Sequence, residues 1–148
     1  MLIGKFKYSI DSKNRICIAH QFRGILGAKC VISKDLVYKC LNLYSIESWE
    51  EYSQIINKLP PLRMRNAKQF IYSNSDTAEF DSQGRIVLNR DLCEDTGLLS
   101  EKEAMVIGVS THVQIWNIGE WEAFSKELNS EKSKFAIVSD MLEMERQL

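Results

Sequence analysis

A pentapeptide occurs twice in this chain of 148 residues: Asp-Ser-Lys-Asn-Arg at 11–15 and Asp-Ser-Gln-Gly-Arg at 81–85, an offset of 70. The match continues past the arginine, where Ile16 aligns with Ile86, Ile18 with Leu88 and Phe22 with Leu92. A second stretch repeats collinearly, Leu43 to Tyr52 against Ile115 to Phe124, at an offset of 72. A pentapeptide can recur by chance, but two collinear matches at nearly one spacing seldom do. The chain is a tandem duplication, and the two-residue difference falls in a loop. Units this small seldom bury enough core alone. Each repeat must therefore complete its fold with the other.

Both repeats read alike. Phe6, Tyr8 and Ile10 alternate with Lys5, Lys7 and Ser9, the period of a half-buried strand. A hairpin turn follows, with Asp first and Asn14 or Gly84 at the left-handed position. Arg15 or Arg85 then opens a short strand, Ile16–Ile18 or Ile86–Leu88, and a short helix is expected to stop at Gly27 or Gly97. Two strands come next, around 29–33 and 40–44 or 104–110 and 113–116. A closing helix carries Ile46, Trp49, Tyr52 and Ile56, or Ile118, Trp121, Phe124 and Leu128. Asn117 with Glu120 fits a capping box, Ser45 is the weaker equivalent cap, and Pro60-Pro61 ends the first of these helices. Trp49, Trp116 and Trp121 are expected in the core. The organisation expected is a first repeat at 1–60, a basic helical linker at 61–73, a second repeat at 74–128 and a C-terminal amphipathic helix at 129–148. The fold expected is mainly β with peripheral helices, the two repeats interlocking their hairpins into one closed β-barrel.

Apolar residues make up 45% and charged residues 26%, values that exclude disorder, collagen and a disulfide scaffold. The longest apolar stretch, Ala104 to Val109, is too short to span a membrane, and Met1 to Lys7 lacks the apolar core of a secretory signal. Cys17, Cys30, Cys40 and Cys93 are scattered, which reads as buried thiols of a reducing cytoplasm. The net charge of −1 conceals an asymmetry: residues 1–73 hold 12 Lys and Arg against 5 Asp and Glu, whereas residues 74–148 hold 7 against 15. That division suggests an anionic partner for the first half, or head-to-tail contact between subunits.

Catalysis finds little support. His20 and His112 accompany no recognisable nucleophile motif, and no glycine-rich phosphate loop is present. Cys17-x-x-His20 could begin a zinc site, but Cys30 and Cys40 stand at irregular spacing, and buried apolar thiols are the better reading. No metal, cofactor, small-molecule substrate or membrane partner is expected.

The repeated turn is the strongest chemical feature. Lys13 and Arg15, preceded by Lys5 and Lys7, gather cations along one edge. An arginine opening a strand can reach a guanine edge or clamp a phosphate, and β-ribbons enter DNA grooves. The alternative is that Arg15 pairs with Asp11, and Arg85 with Asp81, only to lock the hairpins. The basic first half favours nucleic acid for Arg15. Arg85, among Asp76, Glu79, Asp81 and Asp91, is more open to the locking role.

At these residues the chain resembles the MraZ family, bacterial regulators encoded at the head of division and cell-wall gene clusters, within the wider AbrB/SpoVT group. The resemblance covers nearly the whole chain: the opening Met-Leu-Ile-Gly, both D-x-x-x-R turns and their spacing, Val-Ile-Gly-Val-Ser at 106–110, and Ile115-Trp116 followed by Trp121. The chain departs from the family pattern at Asn14, where the first turn's glycine stands, and at Ala19 and Asn89, where proline is usual. The resemblance implies a swapped-hairpin or double-split β-barrel and ring-shaped homo-oligomers. It also implies sequence-specific binding to double-stranded DNA at direct repeats upstream of the protein's own operon. By that resemblance Arg15 and Arg85 are the DNA-binding arginines, and Asp11 and Asp81 fix their turns; Lys5, Lys7 and Lys13, with Asn14 and Gly84 of the turns, are expected on the same DNA-binding surface.

Overall fold

A computed structural model describes residues 1–148. In chain order the elements of the first repeat are β1 (Leu2–Ser9), β2 (Arg15–Cys17), α1 (His20–Leu26), β3 (Lys29–Lys34), β4 (Cys40–Ser45) and α2 (Ile46–Lys58). Then come α3 (Pro61–Ser73), β5 (Ser75–Glu79), β6 (Arg85–Val87), α4 (Arg90–Cys93), α5 (Leu98–Glu101), β7 (Glu103–Ser110), β8 (Val113–Asn117), α6 (Ile118–Leu128) and α7 (Glu131–Gln147). The architecture is antiparallel sheet with peripheral helices. The chain divides into two compact units, Met1–Ile118 and Gly119–Leu148. No helix is long and apolar enough to cross a membrane.

In the first unit every strand of one repeat pairs with the other repeat. The six-stranded sheet runs β1-β7-β8-β4-β3-β5, and β2 with β6 forms a separate two-stranded ladder. The first strands are exchanged: β1 lies on β7 of the second repeat, and β5 lies on β3 of the first. A bridge between Ile10 and Ile16 joins β1 to β2, and Asp81 N donating to Arg85 O at 2.9 Å folds β5 back onto β6. The two offsets of the sequence repeat return as two self-paired rungs. Ile16 faces Ile86 in the β2–β6 ladder, and Asn42 faces Gln114 in the β4–β8 ladder. A pseudo-two-fold axis runs through both rungs and relates the repeats.

Alternation explains what is buried. Ile10, Ile16, Ile18, Phe22 and Leu26 of the first repeat pack with Ile86, Leu88, Leu92 and Leu98 of the second in one core. Phe6 packs its ring edge-on to Phe22 at 5.4 Å. Gly4 faces Gly108 between β1 and β7; a side chain on Gly108 would run into the Leu2–Ile3 backbone.

Three details depart from expectation. The second repeat's helix does not run on to Gly97: α4 ends at Cys93, and Gly97, at φ 74 and ψ 1, precedes α5. Thr96 makes the break, its hydroxyl donating to Cys93 O at 2.6 Å and accepting from Leu98 N at 3.2 Å. Gly27 does follow α1 with positive φ (84), but its ψ of 170 is extended, not left-handed helical. Of the three tryptophans, Trp116 is core at 3% exposure. Trp49 and Trp121 are half-buried. Trp49 lies in an aromatic cluster with Tyr44, Tyr52 and Tyr72.

Ser45 and Pro61 act as their residues suggest. Ser45 accepts from Ser48 N at 3.1 Å to start α2. Pro60 and Pro61 separate α2 from α3, with Pro61 in the first helical turn, where its missing N–H costs nothing. In the second unit, Trp121 and Phe124 of α6 lie 6.1 Å apart, and Ser130 caps α7 through Ser133 N. Phe135, Val138, Met141 and Leu142 of α7 are exposed.

Candidate nucleic-acid interface

The two D-x-x-x-R turns have one geometry. In the first, Asp11 Oδ1 accepts from Lys13 N and Arg15 N, each at 2.9 Å. Its Oδ2 accepts from Arg15 Nε at 2.8 Å. In the second, Asp81 accepts from Gln83 N, Arg85 N and Arg85 Nε at 2.9, 2.9 and 2.8 Å. The backbone closes each turn, Asn14 N donating to Asp11 O and Gly84 N to Asp81 O at 3.0 Å. Both tips are left-handed, with φ of 59 at Asn14 and 77 at Gly84. An aspartate at the head of the turn is needed because its carboxylate satisfies two backbone donors and one guanidinium donor together. Donation by the Arg15 backbone N–H, then by its side chain, then by Lys13 N–H holds the Asp11 carboxyl below its ordinary value. Arg85 and Gln83 act likewise on Asp81.

The locking pairs therefore form in both repeats, and both arginines keep their Nη amino groups beyond the lock. Their side chains are similarly exposed, 27% at Arg15 and 24% at Arg85. Arg15 faces Val87 across the ladder, and Cys17 faces Arg85. Because Ile16 and Ile86 point into the core, residues 15, 17, 85 and 87 all lie on the opposite, outward face. Arg15 and Arg85 are diagonal neighbours on that face, their Cα atoms roughly 7–8 Å apart. Thus one small platform holds both arginines, with exposed Val87 (61%) beside them.

The tips differ. Each hands its carbonyl to the other repeat, Asn14 O accepting from Leu88 N at 2.7 Å and Gly84 O from Ile18 N at 3.2 Å. Over Gly84 lies the Arg23 guanidinium of α1, its Nε donating to Ile18 O at 3.0 Å. At Asn14 it is Lys102, next to α5, that donates to the side-chain Oδ1 at 3.1 Å. Sequence reading found neither Arg23 nor Lys102, since both work across the repeats and Lys102 sits in the acidic half. Lys5 and Lys7 lie on β1, four to six residues before Asp11, about 13–20 Å along the strand. They belong to the six-stranded sheet, not to the β2–β6 ladder that holds both arginines. Lys7 Nζ is 3.9 Å from Glu103.

No group of three or more His, Cys, Asp or Glu is placed to hold a metal ion. Cys30, Cys40 and Cys93 are buried and all four cysteines are free, although Cys93 sits on a helix and Cys17 is only half-buried. Burial pushes the Cys30 and Cys93 thiols up to about 11, and that of Cys40 higher still. Such thiols stay protonated and unreactive near neutral pH. His112 stacks on Tyr44 at 4.7 Å, and burial lowers its proton affinity. The outward face around the turns offers hydrogen-bond donors and positive charge.

Comparison with known proteins agrees over the same residues. The family model described as "MraZ protein, putative antitoxin-like" matches residues 1–66 and again 71–144. A relative from Moorella thermoacetica, named transcriptional regulator MraZ, is 38% identical over 138 residues, covering 92% of this chain and 94% of its own. One of the same name from Acetivibrio thermocellus is 35% identical over 144 residues, covering 96% and 99%. Another, from Lactobacillus gasseri, is 35% identical over 147 residues, covering 97% and 100%.

Proposed function

The chain belongs to the MraZ family, and on that premise we propose that it is a sequence-specific DNA-binding regulator of transcription. Its targets are direct repeats in the promoter of its own division and cell-wall gene cluster. It works without catalysis, at the nucleoid in the cytoplasm, as a ring-shaped homo-oligomer.

The observation that carries this reading is the placement of Arg15 and Arg85 on one outward face, each oriented by an aspartate at 2.8 Å. A guanidinium whose Nε is held has fewer rotamers to lose on binding, and its free Nη pair suits a guanine edge or a phosphate. The ladder supplies a β-ribbon of the kind that enters a groove. A single contact this small binds weakly. Several on one ring bind as if intramolecular after the first, so short repeats at regular spacing become the target. The opposite charges of residues 1–73 and 74–148 favour head-to-tail contacts of the kind that close into rings.

The test is a salt-titrated binding series on promoter fragments bearing one, two and three repeats, plus one in which a repeat is shifted by half a helical turn. Steep salt dependence, rising affinity with repeat number and loss on phase shift are expected. Equal affinity throughout, or a monomer in solution, overturns the ring and its repeats. Absence of any duplex affinity overturns DNA binding itself and points to a protein-binding module.

A further inference from the structure

Four non-glycine residues adopt positive φ: Asn14, Asp95, Lys102 and Ser110. Two of these touch. Lys102, at φ 60 and ψ 12, donates from Nζ to Asn14 Oδ1 at 3.1 Å, across 88 residues of sequence. Left-handed backbone is sterically costly for lysine and persists only where the surroundings over-determine it, as they do at working sites. Here Lys102 N donates to Leu98 O at 3.3 Å, and Lys102 O accepts from Ile10 N at 2.8 Å. Ile10 immediately precedes Asp11. The strained residue thus anchors the start of the first turn through its backbone and the tip through its side chain. Glycine would meet the backbone requirement without strain; what lysine adds is a charge.

That charge sets the chemistry of the tip. An ammonium only donates, so the Asn14 amide must turn its oxygen to Lys102 and leave Nδ2 facing away. The Asn14 amide then offers N–H donors at the tip, and Lys13 adds another cation next to it, beside a Ser12 hydroxyl that can donate as well as accept. The second tip differs: Gly84 carries no side chain, and the cation over it, the Arg23 guanidinium, commits its Nε to Ile18 O. We propose that Lys102 is a further DNA-binding residue, forming with Asn14 and Lys13 a donor-rich, cationic tip that grips a backbone phosphate and makes the first turn the stronger of the two. A point charge on a flexible stem suits phosphate, whereas base edges favour the planar arginine fork.

The inference rests on the reading of the chain as a DNA-binding protein, and the experiment separates the two. The probe is the duplex that the wild-type protein enriches from a randomised DNA library, with a base-substituted version beside it. Lys102→Gly removes the cation while relaxing the backbone, so its Tm is expected to hold or rise. Lys102→Met keeps a side chain of similar length without charge and serves where glycine loosens the chain. Both are expected to bind roughly tenfold more weakly. Their log–log salt slope should fall by about one, equally on both duplexes. Lys102→Arg should keep the slope, and Asn14→Gly should weaken binding less once Lys102 is already gone. A folded wild-type protein that binds no duplex overturns the DNA reading and this inference with it. Binding that needs Arg15 but is indifferent to Lys102→Gly and Lys102→Met overturns this inference alone.

Discussion

Ile16 stands directly opposite Ile86 in the β2–β6 ladder, and both are closed to solvent, at 0% and 1% exposure. They occupy the same position in the two repeats, so the pseudo-two-fold axis passes between them. One residue before each lies a locked arginine, and antiparallel pairing turns both arginines to the same outward face. The isoleucine pair is therefore the pivot that converts a duplicated sequence into a two-arginine platform.

Truncating that pivot should cost stability on the scale of a buried cavity. Ile16→Ala is expected to lose about 2–5 kcal/mol, and Trp116→Ala about 3–5 kcal/mol. Trp49→Ala should lose less than Trp116→Ala, because Trp49 is only half-buried. Chemical denaturation of the three variants checks the ranking. Trp49→Ala as damaging as Trp116→Ala would refute the burial argument.

Arg15→Ala should weaken operator binding by roughly 1–3 kcal/mol per engaged turn. Loss of its solvent-screened pair with Asp11 should take little from stability. The acidic neighbours of Arg85 in the sequence suggest a smaller effect there. The shared platform and matching lock instead put Arg85→Ala in the same range, before any added weight from Lys102 at the first tip. Paired binding and melting measurements decide. Normal binding with a large fall in Tm would leave both arginines as hairpin locks only.

The turn aspartates should titrate low. Asp11 and Asp81 are depressed from an ordinary value of 3.8 by the N–H groups they accept from. A depressed carboxyl contributes stability that is fully present above the unfolded value and is lost as pH falls through the folded one. The turns should therefore stay locked at pH 5 and open only in acid below about 3.8, the ordinary value. Carboxyl-carbon shifts of Asp11 and Asp81, followed with the Lys13 and Arg15 amide protons, report this directly. A midpoint at or above the ordinary value would show that the locks do not form in solution.

Much of this was legible in the sequence because duplication doubles each signal. The D-x-x-x-R turns follow from residues that agree between the repeats, and the interlocking of the repeats follows from units too small to bury a core alone. What was hidden lies where the repeats differ or where contact is remote. Thr96 breaks the second helix by local side-chain bonding, next to Asp95 at a φ of 69, and its apolar spacing reveals neither. Lys102 meets Asn14, and Arg23 meets Gly84, only after the repeats interlock, and no periodicity connects positions so far apart. The sequence also left open whether the arginines lock hairpins or meet DNA. Geometry shows that Nε makes the lock while the Nη groups remain, so the two roles are compatible.

The difference between the tips gives the last prediction. Asn14 already tolerates φ 59, so Asn14→Gly should leave Tm nearly unchanged. Gly84→Ala meets two obstacles. Its backbone sits at φ 77, and its new Cβ would lie 2.5 Å from Arg23 Cζ and 2.7 Å from Nε. Arg23 can swing aside, but only by giving up its bond to Ile18 O. Left-handed strain and that bond together should cost about 1–3 kcal/mol. Removing Arg23 first clears the space but not the strain, so Gly84→Ala should cost less in an Arg23→Ala background and still more than nothing. Thermal melts of the two single variants and the double supply the cycle. If Gly84→Ala costs the same in both backgrounds, the guanidinium does not rest on the second tip, and backbone strain alone accounts for the glycine.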